Sequence, residues 1–158
     1  MGELVRVAAK EDVEKLKSFL AEVQPGTQFQ EEDLDCYFFL ETSSGKLKAC
    51  VGMEPAVNAG LIRSLVIQKG TSHEEVLLLL GRVLRTAKEK GLMNVFLVTD
   101  KQAAAIFLRE LGFESCHYEE ASRSVGELEH FKRVTNVDNS IIMKISIKNL
   151  AISTDLST

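Results

Sequence analysis

The tetrapeptide Val95-Phe96-Leu97-Val98 is apolar at four consecutive positions, so as a strand it has no face to turn toward water. It has to sit inside a sheet and be covered on both sides. Before it, Val76, Leu77, Leu80, Val83, Leu84 and Ala87 recur at helical spacing over residues 72–90, and Gly91 stands where a helix C-cap belongs. A strand delivered by a helical crossover returns parallel to its predecessor. Residues 61–67 and 94–99 are therefore expected to be adjacent parallel strands, which sets the class as α/β with a mixed sheet.

The rest of the chain fits around that pair. Residues 4–8 read as a short strand, followed by an amphipathic helix carrying Val13, Leu16, Phe19, Leu20 and Val23 and stopped by Pro25-Gly26. A short helix near Glu31, Glu32 and Asp33 precedes the aromatic strand Tyr37-Phe38-Phe39-Leu40, and Ser43-Ser44-Gly45 turns it into a return strand over 47–53. Asn58-Ala59-Gly60 is the expected turn into 61–67. A helix over 101–111 ends at Gly112, a strand is expected around 116–118, and Ile141, Met143, Ile145 and Ile147 share one face of the last strand. Residues 119–139 are polar and carry no clear period. The expected sheet has about six or seven strands, antiparallel at its start, with helices on both faces.

Composition narrows the class of function. At 158 residues, with 45% hydrophobic and 27% charged residues, one globular domain over 1–148 is expected, with a flexible tail at 149–158. A formal net charge of -4 gives no electrostatic footprint for nucleic acid or an anionic membrane, so neither is expected as a partner. Cys36, Cys50 and Cys116 are too far apart for a zinc motif or disulfide framework, and no metal is expected. The start of the chain lacks an apolar signal core and the run from Val76 to Leu80 is too short to span a bilayer, so the expected location is cytoplasmic.

Gly60-Leu61-Ile62-Arg63-Ser64-Leu65-Val66-Ile67, a helix, Leu97-Val98-Thr99, and Ala105-Ile106-Phe107-Leu108-Arg109-Glu110-Leu111-Gly112-Phe113 stand in one order that resembles the GNAT acetyltransferase superfamily. Val51-Gly52-Met53-Glu54-Pro55 ahead of the Leu-Ile-Arg-Ser-Leu strand is similar to the branch found with arsenic-resistance operons. The resemblance covers nearly the whole chain. It implies that acetyl-CoA lies where the two parallel strands splay, with its pantetheine arm along the main chain of Leu65, Val66 and Ile67. Those residues equally suit plain core positions. Thr99 is a cofactor contact or a cap for the following helix, and Phe107 is carried over as a cofactor contact.

The pyrophosphate loop departs from the family. Its glycines are replaced by Gln68-Lys69-Gly70-Thr71-Ser72-His73-Glu74-Glu75, in which Ser72-x-x-Glu75 is a capping box that satisfies the helix N–H groups an anion would use. Lys69, Ser72 and His73 are the residues left to meet the phosphates. Acyl transfer to an amine also needs a proton acceptor, for which Glu54 at a strand end is the candidate. A main-chain N–H near Leu65 or Val66 is the candidate oxyanion donor. The family's tyrosine acid is absent, since Leu108 follows Phe107. Arg63, expected on one face with Leu61 and Leu65, either binds a substrate carboxylate or pairs with an acidic side chain of its own domain.

The expected function is transfer of acetyl from acetyl-CoA to a small amine or amino-acid-like acceptor by a monomer or homodimer. The alternative is a GNAT-fold module without catalysis that binds a ligand or a partner protein.

Overall fold

A computed structural model describes residues 4–27, 29–136 and 139–147; the expected tail at 149–158 lies outside the described residues. Seven strands are formed: β1 (Leu4–Val7), β2 (Tyr37–Glu41), β3 (Leu47–Pro55), β4 (Ala59–Ile67), β5 (Asn94–Thr99), β6 (Glu114–Ser115) and β7 (Ile141–Ser146). Five α-helices accompany them: α1 (Val13–Val23), α2 (His73–Glu89), α3 (Gln102–Leu111), α4 (Tyr118–Val125) and α5 (Glu129–Val134). The strands make one sheet in the order β1-β2-β3-β4-β5-β7-β6. The β4–β5 pair is parallel, from Ala59 opposite Asn94 to Ile62 opposite Leu97, as a helical crossover requires. Val95, Phe96 and Leu97 are all buried.

By packing, the chain divides into two compact units, Met1–Met53 with Ser64–Val83 and Glu54–Arg63 with Leu84–Thr158. In the first, β1, β2 and β3 pair antiparallel in sequence. The β2–β3 turn closes with Thr42 and Lys46 sharing a backbone hydrogen bond of 2.8 Å, and Gly45 takes φ 90°, where a side chain would be strained. A single core joins Leu16, Phe19 and Leu20 of α1 to Tyr37, Phe39, Leu47, Cys50 and Val66. The positions between Glu31 and Cys36 form one stretch of 3-10 helix, where a short helix was expected.

Glu41 ends β2 inside this unit, 5% exposed. Burial opposes its ionisation, but hydrogen bonds from Arg6 and Lys15 outweigh burial and hold its carboxyl below the usual range. Arg6 also reaches Asp12 at 2.8 Å and 2.9 Å, a bidentate contact. Asp12 Oδ2 accepts the Ala9 N–H at 2.7 Å, so one carboxylate ties the end of β1 to the start of α1.

In the second unit β5 pairs antiparallel with β7 along its whole length, from Asn94 opposite Ser146 to Thr99 opposite Ile141. Gly112 closes α3 at φ 111°, its N–H reaching the Leu108 and Arg109 carbonyls. The strand expected around 116–118 is instead the two residues Glu114 and Ser115, and Tyr118 opens α4. The reason is local: His117 is extended and its carbonyl accepts the Ala121 N–H at 3.1 Å, so the helix starts where the strand was expected to continue. The unreadable segment 119–139 contains α4 and α5. Each is short and buries few residues, Ala121 and Val125 from α4 and Phe131 from α5, too few for a sequence period to stand out. They join Ala59, Leu61, Phe96 and Ile142 in the core of this unit, with Tyr118 stacked on Phe131 at 5.6 Å.

Two smaller corrections concern β4 and α2. Ala59 and Gly60, expected in a turn, are the first strand residues of β4, because they pair with Asn94 and Val95. The turn is closed one step earlier, by Ala56 N–H to the Ala59 carbonyl at 2.7 Å. On α2, Leu79 is fully buried and Leu77 only partly, so the apolar stripe is rotated slightly from the expected one.

Asp12 supplies a test of the first unit's polar network. Its carboxyl is lowered to about 2, first by the Arg6 hydrogen bond, with burial acting the other way. A lowered folded value means the stabilisation is present above the unfolded value near 4 and is lost as pH falls through about 2. Asp12→Asn is expected to cost about 2 kcal/mol at pH 7 and to flatten the stability loss between about pH 4 and pH 2. Urea unfolding of both proteins across that range measures it.

Candidate functional site

Two residues singled out in the sequence meet in the structure. Glu54 lies near the end of β3 and Arg63 in β4, the chain between them reversing through residues 56–58. Arg63 Nη1 donates to Glu54 Oε1 at 3.2 Å, with the side chains 12% and 30% exposed respectively. The intradomain ion pair foreseen as one role of Arg63 is thus formed, and its partner is the candidate base. Replacing either group would leave the other charge partly buried, which is costlier than the pair is stabilising.

Immediately after Arg63, Ser64 takes φ 56°, a left-handed conformation rare for a residue other than glycine, Asn or Asp. A left-handed residue breaks the pleat, so the simple alternation that placed Leu61, Arg63 and Leu65 on one face does not continue through Ser64. Strain of this kind costs about 1–3 kcal/mol and persists where the surroundings impose it.

Past the break, Val66 is buried in the first unit's core, whereas Leu65 is half-buried and Ile67 is exposed. Val66 also makes a backbone hydrogen bond to the Cys50 thiol. Burial pushes that thiol up to about 12 and the Val66 contact acts in the opposite sense, which identifies the Val66 N–H as donor. The Val66 N–H, one of the two oxyanion donors expected from sequence, is thereby engaged with the Cys50 thiol.

The capping box at the start of α2 is present in both halves. Ser72 Oγ accepts the Glu75 N–H at 3.1 Å, and Glu75 Oε1 accepts the Ser72 N–H at 2.8 Å. Lys48 of β3 binds the other Glu75 oxygen, an addition that no local sequence pattern reveals. The helix N-terminus is therefore occupied by the protein's own side chains. Lys69, Ser72, His73 and Glu74 are exposed around it.

Thr99 Oγ1 accepts the Lys101 N–H at 3.2 Å, a local turn rather than the helix cap expected as the alternative, since the N-cap of α3 is Lys101 and carries no side-chain cap hydrogen bond. Phe107 is half-buried on α3, beside the buried Leu108. Missed in the sequence were His130 and Arg133 of α5. Arg133 Nη2 lies 3.4 Å from His130 Nδ1, and the imidazole is pushed down to about 4, chiefly by burial and then by the charges of Arg63 and Arg133. The only trace of this in the sequence is an i,i+3 pair in a polar segment.

The capping box makes a direct prediction. Ser72→Ala is expected to cost about 1 kcal/mol, and Glu75→Ala somewhat more because it also removes the Lys48–Glu75 contact. Thermal unfolding of the two variants ranks them; equal melting temperatures for Glu75→Ala and the unmodified protein would contradict it.

No family model matches the sequence. The chain is 26% identical over 141 residues to the uncharacterized protein YwlB of Bacillus subtilis, covering 89% of this chain and 95% of YwlB. Among solved structures it is similar to N-acetylglutamate synthase from Neisseria gonorrhoeae complexed with coenzyme A and N-acetyl-glutamate, with TM-score 0.75 and 16% identity. That match covers 93% of this chain but only 35% of the synthase. Rv2747 from Mycobacterium tuberculosis, solved in complex with CoA, gives TM-score 0.69 at 21% identity, covering 90% of this chain and 98% of that one. A GNAT-family acetyltransferase from Staphylococcus aureus gives 0.65 at 15% identity, covering 92% and 99% respectively. The seven-stranded mixed sheet with its helices is the GNAT acetyltransferase fold.

Proposed function

We propose that this chain is an N-acetyltransferase that moves acetyl from acetyl-CoA, its donor substrate, to a small amine or amino-acid-like acceptor. The observation that carries the reading is the likeness, over nine-tenths of this chain, to structures solved with coenzyme A, reinforced by the Glu54–Arg63 pair. The proposed roles follow from what the chemistry requires. The acceptor nitrogen must be neutral to attack the thioester carbonyl carbon. As the N–C bond forms, Glu54 takes the amine proton directly or through a water, the carbonyl oxygen is met by the Leu65 N–H, and the CoA thiolate leaves and is protonated by water. Main chain of β4 from Leu65 to Ile67 is assigned to pantetheine, with Lys69 and His73 toward the phosphates. Thr99 and Phe107 remain proposed cofactor contacts, and the kinship with the arsenic-resistance branch remains part of the proposal.

The filled cap of α2 favours a second reading, a module of this fold that has lost catalysis. An incoming pyrophosphate would have to displace Glu75 from Ser72 or bind beside it. At surface dielectric each nearby carboxylate costs about a kcal/mol, which weakens donor binding without abolishing it.

Two measurements separate the readings. Calorimetry with acetyl-CoA is expected to show saturable but weak binding, improved when Glu74 and Glu75 are both replaced by glycine. Glu54→Gln is expected to lower kcat about 10- to 100-fold while changing acetyl-CoA affinity less than about twofold, because Gln accepts the Arg63 hydrogen bond but not a proton. No binding of acetyl-CoA by either protein would leave only the non-catalytic module, and an unchanged kcat across pH in Glu54→Gln would remove Glu54 from the mechanism.

A further inference from the structure

β1 is the outermost strand at one end of the sheet, so one of its edges has no neighbouring strand among the described residues. The Ala8 N–H bonds the Tyr37 carbonyl at 2.9 Å, which fixes the phase of the antiparallel β1–β2 ladder. Leu4, Arg6 and Ala8 therefore turn their backbone polar groups toward β2, and Val5 and Val7 turn theirs outward. An outward row of amides and carbonyls is a template for a further strand. The side chains along it invite one, because Leu4 and Val7, on opposite faces of β1, are apolar and exposed.

Both outward carbonyls are nevertheless occupied. Arg82 Nη1, reaching over from α2, donates to the Val5 carbonyl at 3.3 Å, and Arg6 Nη1 donates to the Val7 carbonyl at 3.3 Å. An added strand would bring its own N–H to about 2.9 Å from each oxygen, so each guanidinium stands where an incoming backbone donor has to go. The two arginines differ in origin. Arg6 is held by Asp12 and Glu41 and belongs to the network that fastens β1. Arg82 lies 77 positions from Val5 in sequence and meets β1 at the carbonyl that strand addition would use.

We propose that Arg82 guards the β1 edge, and that the occupant it excludes is β1 of a second copy of this chain. The self-match is a property of the strand. Val5 and Val7 lie symmetrically about Arg6, so an antiparallel copy centred on Arg6 sets each Val5 opposite the other copy's Val7, and each such pair exchanges both of its backbone hydrogen bonds. The contact is isologous and closes after two copies. At its centre the charge of Arg6 is compensated by Asp12 and Glu41. The charge of Arg82 is brought to the junction from both copies, so repulsion adds to the blocked carbonyl. This device holds whether or not the chain transfers acetyl.

Sedimentation velocity on the full chain, over a wide range of protein concentration, tests it. Arg82→Met keeps an aliphatic stem on α2 and removes the donor and the charge. It is expected to self-associate about tenfold more tightly than the unmodified protein, the change brought by releasing one acceptor at an interface. Arg82→Ala, a second removal of the donor, should behave alike, and Arg82→Lys, with a donor and the charge retained, should recover part of the difference. On association the Val5 and Val7 amides should gain protection against hydrogen exchange. Val7→Pro removes an outward N–H and leaves the β1–β2 ladder in place, so combining it with Arg82→Met should restore the self-association of the unmodified protein. Thermal melts verify that each variant is folded.

No increase in self-association in either Arg82→Met or Arg82→Ala would overturn the guard. So would an increase that persists with Val7→Pro, or association that leaves the Val5 and Val7 amides unprotected.

Discussion

β5 is hydrogen-bonded along both of its edges, parallel to β4 on one side and antiparallel to β7 on the other, and its central side chains are buried. A strand in that position satisfies its backbone only if both neighbours are in place, because an unpaired buried amide or carbonyl costs on the order of 1–3 kcal/mol. The β4 register in turn fixes where Arg63 falls, one residue past the last paired position, Ile62 opposite Leu97. A one-residue slip would exchange the faces of Leu61 and Ile62 and, with them, the position of Arg63.

The polar interactions of the two units have different roles. Arg6, Asp12, Lys15 and Glu41 form a network in which each carboxylate meets at least one cation, and Asp12 also holds the Ala9 N–H. It reads as structural, fastening β1, β2 and α1. Around Arg63 the arrangement is different: Arg63 donates to Glu54 at 3.2 Å, and the half-buried His130 is kept neutral first by burial and then by the charges of Arg63 and Arg133.

At the start of α2 the same logic explains a loss instead of a gain. Helix N-termini bind anions because their first N–H groups lack partners. Ser72 and Glu75 provide those partners internally, and Lys48 neutralises the carboxylate that does so. The helix is stabilised, and its capacity for phosphate is reduced by the same groups. If the chain transfers acetyl, its donor must rely more on the β4 main chain than on this terminus.

The sequence alone determined the parts governed by periodicity and local capping. The doubly apolar Val95-Phe96-Leu97-Val98, the stripe of α2, the Gly112 stop of α3 and the Ser72–Glu75 box each involve residues within a few positions of one another, so their physics is written locally. Glu54 and Arg63 were also legible as candidates, being charged residues in otherwise apolar strands. What only the tertiary structure decided was their pairing, the left-handed Ser64, the two-residue length of β6, and the half-burial of His130 within reach of the charge of Arg63. α4 and α5 bury so few side chains that no period rises above the polar background, and His130 acquires its character from burial and from the charges of Arg133 and of Arg63, the latter some 67 positions earlier in the chain. Contacts of that separation leave no local pattern, because the residues that make them are brought together by the register of the sheet and not by their neighbours in sequence.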